Sequence, residues 1–298
     1  MKPKRALVIG GNRFFGRHLT LSLLDSGYEV TLLNRGRHND DLGDQVNRIK
    51  ADRREQRELE AAFAGQTWDI VFDQICFTAH EAKTICNLLD GRTGRVIFTS
   101  SQSVYGYGLS IRESSFDPFH HYFSNVVSAN QDYAEAKRQA EAEFARCPQL
   151  CPVMVRMPFV VGTDDYTGRL SWHIEKCMKE LPIYFLNEKA KLGFIRSDMA
   201  GTALLKIAES DLIGPLNCAC PGDIELRELM GLIEEKTGKS YRRAGAPDNE
   251  NQSPYGVEQD WTMSIEKMNA AGISMPKLSD WLPELITKSL PLSFLRQG

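Results

Sequence analysis

The sequence predicts an α/β fold, a parallel sheet wound on both faces by helices with a smaller C-terminal α/β lobe, and three observations predict it. An apolar strand, Ala6-Leu7-Val8-Ile9, runs straight into the glycine-rich turn Gly10-Gly11-Asn12-Arg13-Phe14-Phe15-Gly16 and then into a helix from Arg17 onward. Strand and helix signals keep alternating as far as Thr99, the pattern of a parallel sheet covered on both sides. The chain has 298 residues, 42% of them hydrophobic, and no repeated or low-complexity tract, which suits one such domain plus a smaller one.

In the first turn, Gly10 lets the chain leave the strand sharply and Gly11 supplies a positive φ. Gly16 lets helix and strand pack closely beneath a diphosphate held at the helix N-terminus. A tight strand-to-helix turn without a ligand is the alternative. After Ser26-Gly27, Tyr28 to Leu33 reads as a second strand, completing a Rossmann-type βαβ unit. Where such folds place an acid on the adenine ribose for NAD, or a base for a 2′-phosphate, the chain has Asn34-Arg35-Gly36-Arg37. No carboxylate is there to repel a phosphate, and Arg35 offers a planar fork of donors. NADP is therefore expected ahead of NAD, with solvated loop charges as the other reading of Arg35 and Arg37.

Further on, Val46 to Lys50 reads as a third strand, Glu55 to Ala64 as a helix and Asp69 to Asp73 as a fourth strand. His80 to Leu89 reads as a helix, and Arg95 to Thr99 as a fifth strand followed by Ser100-Ser101-Gln102-Ser103. Ligands of such sheets bind outside the carboxyl ends of the strands. The run from Asn130 opens an alanine- and glutamate-rich helix reaching Arg146. Tyr133 and Lys137 stand four apart on one face of it. An ammonium beside a phenol favours the phenolate, as acid/base work near neutral pH requires. Serine hydroxyls at the end of the fifth strand can hold the oxygen that exchanges the proton. A half-buried tyrosine and a solvated lysine are the structural alternative.

With these marks the chain resembles the extended short-chain dehydrogenase/reductases, the NAD-dependent epimerase/dehydratase group, over nearly its whole length. They are GGNRFFG, the run Thr99 to Gly106, YAEAK at Tyr133 to Lys137, Val155 to Gly162 after a sixth strand, Phe194 to Ala200, and Gly214 to Asn217. The resemblance implies that Tyr133 is the acid/base, that Lys137 tunes it and touches the nicotinamide ribose, and that Ser101 polarises the substrate. It also implies that Asp52, in Ala51-Asp52-Arg53, contacts adenine. The expected cofactor set is Gly10, Gly11, Asn12, Arg13, Phe14, Phe15, Gly16, Asn34, Arg35, Asp52, Arg53 and Pro158.

Three departures bear on this. Arg13 stands in the place of a middle glycine, and Gln102-Ser103 in the place of the Asp-Glu of dehydratases, so dehydration is not expected. The fourth strand ends Phe72-Asp73-Gln74-Ile75-Cys76, which points to an atypical branch with Asp73 buried beside the cofactor. GGNRFFG with Asn34-Arg35-Gly36 also looks like the branch that holds chloroplast stem-loop RNA-binding proteins.

The expected domains are 1–162 plus about 194–220 for the dinucleotide, and about 163–193 plus 221–298 for a substrate lobe. That lobe should contain amphipathic helices over Leu226 to Thr237 and Ser264 to Trp281, and a polar segment from Gly245 to Gly256 that reads as a surface loop or lid. Trp172, His173 and Tyr184 could face a sugar or base, with packing as their default role. The formal charge of −3 gives no electrostatic reason to expect nucleic acid. No 18-residue apolar stretch is present, and a cytoplasmic protein is expected. Neither Cys147/Cys151 nor Cys218/Cys220 has the spacing of zinc or redox pairs, and His120-His121 has no ligand pattern around it, so no metal is expected. The expected function is an NAD(P)-dependent epimerase or reductase acting on a hydroxyl or carbonyl carbon of a nucleotide sugar or related small molecule. A non-catalytic nucleotide-sensing or RNA-binding protein on the same fold is the alternative. Oligomeric state is open, a homodimer included.

Overall fold

A computed structural model describes residues 2–291. The outer ends of the two expected domains, residue 1 and residues 292–298, lie outside the described residues. Seven parallel strands form the main sheet: β1 (Arg5–Ile9), β2 (Glu29–Asn34), β3 (Asn47–Lys50), β4 (Ile70–Asp73), β5 (Val96–Ser101), β6 (Val153–Met157) and β7 (Gly214–Asn217). Their spatial order is β7-β6-β5-β4-β1-β2-β3, so the order reverses between β1 and β4. That reversal opens a crevice at the carboxyl ends of the strands.

The strands are apolar along their length because helices cover both faces. Ala6 and Val8 turn toward α1 (Phe14–Asp25) and α6 (Ser197–Glu209). Leu7 and Ile9 turn the other way, toward α2 (Gln56–Phe63), α3 (Ala79–Leu89) and α4 (Tyr133–Ala145). This alternation follows from the period-two geometry of a strand. The apolar layer on the α1–α6 side continues into α5 (Arg169–Met178), α7 (Leu226–Thr237) and α9 (Leu278–Lys288).

A second sheet lies among these later helices, built from Ile224–Glu225, Lys191–Leu192, Trp261–Met263 and Gly108–Ile111. The last of these comes from the loop after β5, so that loop reaches across to pair with Trp261–Met263.

Three expectations are corrected here. The span Ser264 to Trp281 is two helices, α8 (Glu266–Ala270) and α9, because Gly272 takes a left-handed conformation (φ +77°) and Pro276 cannot continue a helix. The segment Gly245 to Gly256 is not a free lid: Asn251, Ser253 and Tyr255 are buried, and Tyr184 donates its N–H to the Asn251 carbonyl at 2.8 Å. The fifth strand runs on to Ser101, so Ser100 and Ser101 belong to the sheet itself.

Candidate active site

A cavity of about 410 Å³ opens at the crevice. Its walls include Gly10, Asn12, Arg13, Phe14, Phe15, Gly16, Asn34, Arg35, Asp52 and Arg53, which is the expected cofactor set without Gly11 and Pro158. Pro158 instead lines a separate cavity of about 110 Å³ with Gln102, Gly193 and Cys220. Sequence reasoning missed Arg37, His38, Arg54, Gln74, Ile75, Phe77, Glu81 and Tyr166, which also line the crevice cavity.

The glycine loop shapes the cavity wall for definite reasons. Gly10 sits at φ +89°, and a Cβ there would come 2.7 Å from Ile75 Cγ2. Gly11 is not at positive φ, contrary to expectation. It must be glycine because a Cβ would meet Val8 Cγ1 at 2.5 Å and Thr20 Oγ1 at 2.8 Å. A Cβ on Gly16 would lie 2.7 Å from the Gly10 carbonyl oxygen, so the loop folds directly over the first turn of α1. That helix has no side-chain cap and no acid in its first turn, which leaves its N–H groups for an anion.

The rim is cationic. Arg13 lies over the Tyr166 ring, 4.3 Å from its centroid, and its Nη1 is 3.3 Å from His38 Nε2. The Asn34 side chain accepts the Gly36 N–H at 2.9 Å, holding the turn that presents Arg35. Arg35 Nη1 stands 3.9 Å from Asp52. Asp52 is bonded most directly by Arg54, and this hydrogen bond holds its carboxyl down at about 2. Beneath, Arg53 and Asp73 form a buried fork at 2.6 and 3.1 Å. Asp73 is thus buried beside the cavity through a partner that lines it.

Helix α4 carries Tyr133 and Lys137, and β5 ends on Ser101; none of these three catalytic candidates is among the residues that line the cavity. Asp132 caps it by accepting the Glu135 N–H at 2.9 Å. Tyr133, Lys137 and Glu141 succeed one another at four-residue spacing, a stripe that sinks from half-exposed to fully buried. Glu141 anchors the stripe. It accepts from Ser100 Oγ at 2.5 Å and from Arg156, which in turn donates to the hydroxyl of Tyr105 at 2.6 Å. Burial pushes that phenol up to about 12.

Lys137 donates to the carbonyls of Cys76 and Thr99, and its ammonium also lies 4.8 Å from the Phe77 ring. The Phe77 ring is tilted against that of Tyr133, 6.4 Å between centroids. Phe77 therefore touches both members of the pair. Ser101, the last residue of β5, accepts the Ser103 N–H at 3.1 Å.

Trp172 and Tyr184 are half-buried, and His173 is fully buried, stacked on Tyr255 at 4.8 Å. The reading of His173 as a packing residue is the one its surroundings carry. Among the described residues, no group of three or more His, Cys, Asp or Glu side chains is arranged to hold a metal ion, and no helix is long and apolar enough to cross a membrane.

The family model described as the NAD dependent epimerase/dehydratase family matches residues 6–212. Among curated proteins, the chain is 28% identical over 68% of its length to the chloroplast stem-loop binding protein of 41 kDa b of Arabidopsis thaliana, and it spans 55% of that protein. It is 26% identical over 96% of its length to UDP-glucuronic acid decarboxylase 1 of Arabidopsis thaliana, spanning 70% of it. Among solved structures, the UDP-glucose 4-epimerase of Thermus thermophilus in complex with NAD matches with a TM-score of 0.73 at 21% identity, over 95% of this chain and 96% of that one. The UDP-glucose 4-epimerase of Thermotoga maritima with UDP-glucose matches with a TM-score of 0.74 at 19% identity, over 98% and 99%. At such identities the likeness shows a shared fold.

Proposed function

The chain belongs to the NAD-dependent epimerase/dehydratase family, and from that premise we propose that it is an NADP-preferring epimerase or reductase acting on a hydroxyl-bearing carbon of a nucleotide sugar. The observation that carries this reading is that Phe77, which lines the cavity, contacts both the Tyr133 ring and the Lys137 ammonium just behind its wall. The glycine cradle, which leaves no room for a Cβ, and the cationic rim fit a dinucleotide. When bound, that group supplies a hydride donor or acceptor.

The chain's own residues divide the remaining work. Tyr133 exchanges the proton of the substrate hydroxyl, and Ser101, whose own hydrogen finds no acceptor among the described residues, donates to that oxygen. An ammonium has three protons. Two of those on Lys137 are held by Cys76 and Thr99, and the third serves a ribose hydroxyl. Arg35, with Asn34 in place of an acid, holds a 2′-phosphate. The segments 163–193 and 221–291 serve as the substrate lobe. Dehydration has no acid and base pair in this reading, because Gln102 is buried and donates to the Trp261 carbonyl.

The likeness to a stem-loop binding protein favours a second reading, an RNA-binding protein that keeps the nucleotide site. The net charge of −3 weighs against it. The deciding experiment is a thermal-shift titration with NADPH and NADH, followed by incubation with UDP-sugars and analysis of the products. The reading requires stabilisation by a dinucleotide and turnover that Tyr133→Phe lowers by orders of magnitude. Binding of a stem-loop RNA without any turnover would favour the second reading.

A further inference from the structure

We infer that Gln74 binds the dinucleotide, donating its side-chain amide to an oxygen on the half of the ligand beyond the adenosine; this rests on the dinucleotide reading above. Gln74 comes directly after the last residue of β4, lines the cavity and is 6% exposed. Its Oε1 accepts from Thr99 Oγ1 at 2.9 Å, while its Nε2 is buried with no acceptor among the described residues. Buried amide donors are paired in folded proteins, so a donor without a partner in a ligand cavity calls for one on the ligand.

The position of the amide is imposed from behind. Its backbone N–H donates to the Ile9 carbonyl at 3.0 Å, fixing the residue against the end of β1. Thr99, which holds Oε1, has its own carbonyl clasped by Lys137 at 2.9 Å. With the Thr99 hydroxyl donating to the amide oxygen, the amide nitrogen is left over.

Sheet order says which part of the ligand lies near it. Asn34 and Arg35 stand at the end of β2, and Gln74 stands at the end of β4, with β1 between them. Two strand spacings amount to roughly 10 Å. With Arg35 on the adenine ribose and the β1 turn on the diphosphate, the group above β4 is the ribose and base on the far side of the diphosphate. Phe77, three residues on from Gln74, touches Tyr133 and Lys137, which marks the same end of the cavity.

Calorimetric titration of the full chain tests this, with NADPH and adenosine 2′,5′-bisphosphate as probes, the second of which stops at the adenosine phosphates. Gln74→Leu should weaken NADPH about tenfold, the size of one hydrogen bond, and leave the bisphosphate within about twofold. Gln74→Glu keeps an acceptor for Thr99 and removes the donor, and it should weaken NADPH at least as much. Unchanged NADPH affinity in either variant, or equal losses for both probes, would overturn the role of Gln74. Wild-type protein that binds neither NADPH nor NADH would overturn the dinucleotide reading itself and this inference with it.

Discussion

The ammonium of Lys137 lies 2.7 Å from the carbonyl oxygen of Cys76, so a lysine on α4 ties down the chain just past β4. Its second bond, to Thr99 on β5, makes it a clasp between neighbouring strands. Replacing it by Met would leave two buried carbonyls without their donor. We expect Lys137→Met to cost about 3 kcal/mol and lower the melting temperature of the ligand-free protein by roughly 6 °C. A lysine that served the ligand alone would leave that melting temperature where it was.

The Arg53–Asp73 fork is the second buried support of the cavity. Burial works against the Arg53 charge, and the groups around it, Asp73 foremost and Glu81 with it, together more than offset that, so the guanidinium stays firmly protonated. Asp73→Ala removes both short bonds of that buried guanidinium and leaves it only Glu81, 3.7 Å from its Nε, which should cost about 3 kcal/mol in urea denaturation. The double variant Arg53→Met with Asp73→Leu removes both charges and should recover most of the loss. A double variant as unstable as the single one would show that the fork matters for its shape and not for its charge balance.

The parts readable in the sequence were those set by local periodicity. Glycines at 10 and 16, the alternation of Leu7 and Ile9 with Ala6 and Val8, and the four-residue stripe of Tyr133 and Lys137 all express geometry within one element. Gln74, Phe77 and Tyr166 were not readable as cavity residues, because their neighbours are far along the chain and no spacing rule announces them. The odd ending of the fourth strand, Asp73-Gln74-Ile75-Cys76, was the one local sign that something unusual lay there. The span Ser264 to Trp281 misled for the opposite reason: its apolar period continues across a break that Gly272 and Pro276 impose. Likewise, Gly245 to Gly256 has a loop's composition, yet Tyr255 anchors it in the aromatic cluster with Phe159 and His173.

Arg35 provides the test of coenzyme preference. Its guanidinium is partly exposed at the rim and is held by one long contact to Asp52, so it is free to turn to a phosphate. Arg35→Ala should weaken NADPH about tenfold and NADH by less than about twofold, measured by fluorescence titration. Equal losses for the two coenzymes would remove the 2′-phosphate from its role.

His173 makes stability depend on pH through a buried neutral ring. The Arg169 carbonyl, 2.7 Å away, can only accept, so Nδ1 carries the proton and Nε2 accepts from the Ser253 hydroxyl at 2.8 Å. Burial lowers this imidazole from its usual 6.5 to about 4. The unfolded chain therefore takes up a proton as pH falls through 6.5, while the folded protein resists until about 4. The stabilisation is fully present above 6.5 and is lost between those two values, amounting to about 2 kcal/mol by about pH 5. Replacing the ring by glutamine, which keeps a donor and an acceptor, removes the titration. Urea denaturation of wild type and His173→Gln at about pH 7 and about pH 5 should show the wild type losing about 2 kcal/mol more than the variant. A stability gap between the two that does not change with pH would mean that some other group titrates in this window.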